Sequence, residues 1–99
     1  MKIKNTSFSC ASKLKVLSDP TRLAVLESLM SGQKNVGELM EQLNVEQSLL
    51  SHHLSVLRDN DLVEALREGK TVIYKIPDNV ADSTSGKAIN LGCCKISFD

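Results

Sequence analysis

The fold is decided by residues 45–58, which have the sequence VEQSLLSHHLSVLR. At the helical period of 3.6 residues, Leu50, Leu54 and Leu57 fall on one face, which predicts a helix that buries this face. The opposite face carries short or flat hydrogen-bonding side chains instead of the long Lys and Glu chains of an ordinary solvated helix. Its members are Gln47, Ser48, Ser51, His52, Ser55 and Arg58.

A face of this composition suits a groove of DNA. Gln and Ser side chains can approach base edges as donors and acceptors, whereas Arg and His can reach phosphates. The pattern therefore indicates a recognition helix, although a polar surface helix without a ligand has the same spacing. His53 differs from its neighbour because it projects between Leu49 and Leu57 on the apolar side. We expect it to be partly buried and hydrogen-bonded, and to bind neither DNA nor metal.

Three shorter helices are predicted before this one. Residues 9–17 form the first, with Leu14 and Leu17 pointing inward. Asp19 followed by Pro20 is typical of the start of a second helix, because the carboxylate caps it and proline suits its first position. Gly32 ends that helix.

The third helix and the recognition helix form a helix-turn-helix over residues 36–58. Asn35 and Glu38 have the spacing of a capping box at the start of the third helix. Asn44 suits the left-handed residue after it, and the turn that follows is short. Two helices joined in this way, the second with a hydrogen-bonding outer face, are typical of DNA-binding proteins.

A β-hairpin is predicted over residues 62–76. Residues 62–66 and 71–76 are rich in branched side chains and are joined across Arg67-Glu68-Gly69-Lys70. Arg67 and Lys70 at the tip can contact phosphates or a minor groove, although a charged tip also simply keeps a hairpin soluble. Beside a recognition helix, such a hairpin is typical of a wing.

At this point the sequence resembles the ArsR/SmtB family of winged-helix regulators. The motifs that carry the resemblance occur in the family's order, and they are LSDPTRL at 17–23, VGEL at 36–39, SHHL at 51–54, Leu57-Arg58, and Gly69-Lys70 followed by Tyr74. The resemblance implies one mostly α winged-helix domain over residues 1–99. It also implies a cytoplasmic homodimer that represses its operon at an inverted-repeat operator and is released by an inducer.

Individual positions can be carried over from the family. Its groove-facing residues match Gln47, Ser48, Ser51 and His52, and its wing matches Arg67 and Lys70. Glu46 departs from the pattern, since the family more often has a capping Ser there. An anion at this position suits the helix dipole but lies close to where phosphate would bind.

The charge balance limits how the chain could bind DNA. Twelve basic residues match twelve acidic ones, and residues 36–76 contain four basic and seven acidic side chains, a net charge of −3. Affinity would therefore depend on charge placement and on two copies of the helix. Further phosphate contacts could come from Lys2, Lys4, Lys13, Lys15 and Arg22. A winged helix that binds protein instead is the alternative consistent with the acidic balance.

Two other classes are not supported by the sequence. The sequence pattern provides no nucleophile with a positioned base, no Gly-rich phosphate loop and no catalytic His-carboxylate pair. We therefore do not expect the protein to be an enzyme. No apolar run approaches the length of a membrane span, and no signal-peptide pattern is visible near the first residues. Three cysteines in such a chain suggest reduced thiols.

The sensor is predicted in the tail, residues 79–99. Ser83-Thr84-Ser85-Gly86 is a poor helix former, so we expect the family's last helix to be short here. Cys93 and Cys94 could offer two soft thiolates to one ion, but adjacent cysteines do not readily form an unstrained disulfide. In the family, the first and last elements pack together at the dimer interface, which would bring Cys10 to them.

These cysteines leave three hypotheses open. The first is a site for trivalent arsenite or antimonite made by Cys10, Cys93 and Cys94 from one or both subunits. The second is a redox or persulfide switch that joins Cys10 to one of the other two, and the third is that the cysteines are inert. A family-type zinc site is not expected because no histidine follows Tyr74. No cofactor is expected to be required for folding.

Overall fold

The structure, a computed structural model, describes residues 5–82 and 87–98. Its helices are α1 (Asn5–Val16), α2 (Pro20–Met30), α3 (Val36–Leu43) and α4 (Gln47–Asp59). Its strands are β1 (Lys34–Asn35), β2 (Glu64–Glu68), β3 (Thr71–Lys75), β4 (Ala81–Asp82), β5 (Ala88–Asn90) and β6 (Lys95–Ser97). Four helices and a hairpin thus occur in the order predicted from the sequence.

Local capping fixes where α2 and α3 begin. The Asp19 carboxylate accepts hydrogen bonds from the backbone N–H groups of Thr21 (2.8 Å) and Arg22 (3.1 Å). At α3, the Asn35 side chain accepts from the Glu38 N–H (2.8 Å), and the Glu38 carboxylate accepts from the Asn35 N–H (2.9 Å). Both pairs satisfy N–H groups that a helix start leaves without partners, so the predicted capping is confirmed.

The buried face of α4 lies at the centre of the molecule. Leu50, Leu54 and Leu57 are at most 1% exposed and pack in one core cluster with Leu26 of α2 and Leu39 of α3. Asn44 has φ of 53°, the left-handed conformation predicted for it, and turns the chain from α3 towards α4. This arrangement leaves the polar face of α4 directed away from the core.

The prediction for α1 was partly wrong. The helix spans Asn5–Val16 instead of residues 9–17. Leu17 is buried, but Leu14 is 44% exposed, although both were expected to point inward. Leu17 follows the last residue of α1, and the spacing of two leucines could not show which of them a neighbouring element covers.

The wing is a three-stranded antiparallel sheet with strand order β1-β3-β2. Ala65 and Lys34 flank Tyr74 of β3 on opposite sides, and the short strand β1 was not predicted. The first wing strand starts two residues later than predicted because Leu62 and Val63 are buried in the core before the hairpin begins.

The short last helix predicted for the tail is absent from the described part of residues 79–99. A second antiparallel sheet, of order β4-β5-β6, takes its place, and it pairs Ile89 with Ile96. Gly92 has φ of +91°, which favours glycine, and the Leu91 N–H donates to the Cys94 carbonyl (2.9 Å) across a tight turn. The Ser83–Gly86 stretch on which that prediction rested lies outside the described residues.

Candidate DNA interface and thiol centre

The outer face of α4 has the composition of a DNA-reading surface. All six α4 residues predicted to bind DNA are exposed. Residues 47–58 contain no acidic side chain, so nothing on that stretch repels phosphate. The predicted wing residues Arg67 and Lys70 are also exposed, on either side of a tip in which Gly69 has φ of +60°.

The helix start carries the one acidic group nearest to that face. Glu46 is the N-cap residue, and its side chain makes no capping hydrogen bond. Its carboxylate instead accepts a hydrogen bond from the Ser48 hydroxyl (2.9 Å). One of the predicted groove-facing hydroxyls is therefore engaged by an anion in this structure.

Two other acidic groups of residues 36–76 have partners elsewhere in the protein. Glu38 is used in the capping box of α3, and Glu64 pairs with Lys75 of the neighbouring strand at 3.6 Å. Asp59 is exposed at the last position of α4, next to Arg58. No acidic residue thus lies within residues 47–58, whereas the wing carries the exposed Glu68 next to Arg67.

Leu49 is a feature that the sequence analysis assigned wrongly. It was placed beside the buried leucines, but it is 44% exposed in the first turn of α4. His52 lies one turn further on, so the two side chains are neighbours on the helix surface. A leucine at the edge of the apolar stripe can be either buried or exposed, and the packing of the other helices determines which of the two occurs.

Behind the outer face, α4 is held by a buried histidine. His53 is 6% exposed, and its Nδ1 atom accepts a hydrogen bond from the Arg22 Nε–H (3.0 Å). The Arg22 Nη1 atom also donates to the Val16 carbonyl at the end of α1 (3.0 Å). The prediction that His53 is shielded from solvent and hydrogen-bonded is confirmed. The Nε and Nη1 atoms of Arg22 both donate hydrogen bonds to groups of the protein itself.

Electrostatics at this contact favour a neutral imidazole. Burial lowers the pKa of His53 below its ordinary value of 6.5, and the Arg22 charge acts in the same direction against a partial offset from Asp19. The backbone N–H of Arg22 lowers the pKa of the Asp19 carboxyl. His52, the remaining neighbour, lies on the exposed side of the helix with its ring centroid 5.4 Å from that of His53.

The cysteines are brought together as predicted, but two of them are not reduced. Cys10 of α1 and Cys93 of the β5–β6 turn form a disulfide, with their Cα atoms 6.0 Å apart. The expectation of reduced thiols is therefore corrected for this pair. The structure has the pairing that the redox hypothesis required, and the adjacent Cys93 and Cys94 do not bond to each other.

The third sulfur completes a compact cluster. The Cys94 Sγ atom lies 3.5 Å from Cys10 Sγ, and because the bonded Cys10 carries no proton, the Cys94 thiol is the donor. All three sulfurs lie within 4.8 Å of one another. We call Cys10, Cys93 and Cys94 the thiol centre. It joins α1 to the tail through residues more than eighty positions apart in sequence.

Residues 19–74 match the family model described as bacterial regulatory protein, arsR family. The chain belongs to the ArsR family. It is 34% identical over 85 residues to a biofilm growth-associated repressor of Xylella fastidiosa, a match that covers 86% of this chain and 75% of that protein. An arsenical resistance operon repressor of Staphylococcus xylosus is 39% identical over 70% of this chain and 66% of its own length.

Solved structures of the ArsR family agree in fold. HlyU from Vibrio cholerae has a TM-score of 0.72 and 34% identity, covering 77% of this chain and 83% of that chain. BigR from Xylella fastidiosa, a transcriptional repressor, has a TM-score of 0.68 and 38% identity over 73% and 74% of the two chains. The winged-helix fold is thus confirmed.

These matches also settle the broad functional class. The ArsR family consists of DNA-binding transcription regulators and not enzymes, and this chain is a transcriptional repressor of that family. In the part of the chain that the structure describes, no helix is long and apolar enough to cross a membrane.

The His53 environment predicts a pH dependence of stability. In the unfolded chain, the imidazole takes up a proton near pH 6.5, whereas the folded protein resists protonation to lower pH. The unfolded state therefore binds more protons in this window, and stability must fall as the pH is lowered through it. We expect the free energy of unfolding, measured by urea denaturation, to decrease from pH 7.5 to pH 5.5.

The matched variants are His53→Asn and His52→Asn. Asparagine at position 53 keeps an acceptor near the Nδ1 position without a titrating group, so the decrease should become smaller. The control variant His52→Asn changes an exposed histidine, so its unfolding free energy should show the same decrease as the wild type. An equal decrease in wild type and His53→Asn would contradict the assignment.

Proposed function

We propose that the protein is a homodimeric repressor that binds an inverted-repeat operator and leaves it when arsenite or antimonite occupies the reduced thiol centre. The observation that carries the inducer assignment is the meeting of three sulfurs within 4.8 Å of one another. Soft thiolate ligands suit thiophilic ions, and three of them provide the trigonal donor set of a trivalent metalloid. The site of action is the cytoplasm, where the operator DNA is found.

The DNA-reading surface consists of α4 and the wing. Gln47, Ser51 and Ser55 offer short hydrogen-bonding groups to base edges, and His52 and Arg58 reach phosphates or bases. Ser48 joins them once it is released from Glu46. Arg67 and Lys70 of the wing contact the backbone beside the groove. Operator symmetry follows from the two-fold axis of the dimer.

Dimerisation is proposed from membership of the ArsR family, and α1 offers one exposed apolar side chain to such an interface. Leu14 is 44% exposed there, and a second copy packed against α1 would cover it. Two recognition helices that bind together offset the lack of a broad positive field on each copy.

The thiol centre needs reduction before it can bind an ion. Breaking the Cys10–Cys93 disulfide yields two thiols beside Cys94, which is already free. An ion held by all three would link α1 to the β5–β6 turn, as the disulfide does now. Coupling of this kind needs only about 1–3 kcal/mol to change DNA affinity 5–150-fold.

A second candidate is a repressor of the same fold that responds to thiol oxidation. The disulfide itself favours it, because disulfides in reducing compartments are usually catalytic or redox-sensing. The two candidates differ in their need for Cys94, since oxidation uses Cys10 and Cys93 alone.

For the DNA-reading surface, we expect Leu49 to contact a thymine methyl group. Replacing single thymines of a selected operator with uracil removes that methyl. A single uracil at the contacted position of a half-site should weaken wild-type binding about fourfold, which is the affinity that burial of one methyl group contributes. Fluorescence anisotropy at fixed salt gives the affinities.

Leu49→Ala completes a double-mutant cycle with this DNA change. The variant should bind thymine and uracil operators equally at that position, and because Leu49 is half exposed, the helical circular dichroism should be unchanged. Retained discrimination in Leu49→Ala, or no sensitive thymine at all, would show that Leu49 does not read DNA. If selection with the wild-type protein recovers no DNA that it binds, the DNA interface itself would be refuted.

For the thiol centre, titration of phosphine-reduced protein with arsenite should produce ultraviolet thiolate–arsenic absorption at one equivalent per chain. The same addition should release operator DNA. Cys94→Ser should lose the three-thiolate absorption and the release, because only two sulfurs remain.

Oxidation provides the matched comparison. We expect Cys94→Ser to release DNA when Cys10 and Cys93 are oxidised but to keep it bound when arsenite is added. That result would support a metalloid site of three sulfurs and an oxidation response that needs only Cys10 and Cys93. Unchanged arsenite release in Cys94→Ser would remove the three-sulfur site. Wild-type protein that binds DNA regardless of arsenite would leave oxidation as the signal.

A further inference from the structure

The thiol centre contains one sulfur more than a disulfide uses. Cys94 lies beside the bonded pair, with its Sγ atom 3.5 Å from Cys10 Sγ. The tight turn at Gly92 and Cys93 holds both cysteines at one end of the β5–β6 hairpin, because the Leu91 N–H donates to the Cys94 carbonyl. A thiol is thus held close to a disulfide to which it does not belong.

We propose that the disulfide exchanges between Cys93 and Cys94. The Cys94 thiolate attacks Cys10 Sγ, the Cys10–Cys93 bond breaks, and a Cys10–Cys94 bond forms. The electron pair of the broken bond leaves on Cys93, which takes up the proton that Cys94 released to solvent. One thiol and one disulfide are present before and after, so no oxidant or reductant is consumed.

The direction of attack follows from the sequence positions. Attack on Cys93 would create a disulfide between adjacent residues, which is strained. Attack on Cys10 gives instead a second long-range disulfide between α1 and the hairpin. Cys10 therefore remains bonded in both forms, and α1 stays tied to the tail.

Exchange changes which sulfur is available to the solvent. Cys94 is half-buried and packs against the hydrophobic core, whereas Cys93 is exposed in the turn. The free thiol is sheltered in one form and exposed in the other. Cys93 thus becomes a modification site for soft electrophiles while the protein is still oxidised.

This inference rests on the proposed function only for its regulatory purpose, since it adds a second state to the centre that would govern DNA release. In that reading, alkylation of Cys93 traps the Cys10–Cys94 form. The chemistry itself can be tested without DNA.

The test is alkylation of the whole non-reduced protein with N-ethylmaleimide at neutral pH, followed by acid quenching and digestion without reduction. Tandem mass spectrometry then locates the adduct and the disulfide. We expect Cys93 to accumulate the adduct, in species that carry a Cys10–Cys94 disulfide. An adduct confined to Cys94, with Cys10–Cys93 intact, would overturn the proposal.

Two variants keep the test decisive. Oxidised Cys94→Ser has no attacking thiol, so labelling at Cys93 should be lost; labelling equal to wild type would mean that reduction exposes Cys93, and the proposal would fail. Cys93→Ser should form the Cys10–Cys94 disulfide on oxidation, and free thiols at both positions would also overturn exchange.

Operator binding, measured separately on the same preparations, distinguishes this inference from the proposed function. Exchange in a protein that binds no operator would refute the function and leave the chemistry. DNA binding in a protein without exchange would refute the exchange and leave the proposed function standing.

Discussion

The contact between the Arg22 guanidinium and the His53 imidazole connects the parts of this molecule that matter for function. Arg22 lies in α2, donates to the end of α1 through the Val16 carbonyl, and donates to the recognition helix through His53 Nδ1. The Nδ1 atom accepts this bond only when it is unprotonated, and burial lowers the pKa of His53 in that direction. One side chain of α2 therefore bonds to both α1 and α4. Cys10 lies in the same helix as Val16, so bonded residues run from the thiol centre to α4.

The division of α4 into two faces explains how so neutral a chain can serve as a repressor. Leucines on one side fix the helix in the core, and the side chains on the other are short enough to approach bases. Residues 47–58 contain no acidic side chain, while Glu38 is used in a cap and Glu64 in an ion pair. Placement of charge, more than its total, suits the protein to a DNA groove.

Much of the fold could be predicted because the signals were local. The Asp19 cap, the capping box of Asn35 and the left-handed Asn44 each depend on neighbouring residues, and the structure confirms them. The tail could not be predicted, since its strands are stabilised by pairing with each other and by burial of Ile89 against distant helices. The role of Arg22 was missed for the same reason: its partner lies 31 residues away, and no local pattern indicates it. The cysteines were expected to meet, but their oxidation state is not encoded in their spacing.

The central claim is that joining α1 to the tail at the thiol centre weakens DNA binding. It is tested most directly by comparing the operator affinity of one preparation in its fully reduced form and in its Cys10–Cys93 disulfide form, at the same salt concentration. The account predicts that the disulfide form binds 5–150-fold more weakly, which corresponds to a coupling of about 1–3 kcal/mol. Equal affinities in the two forms would contradict it.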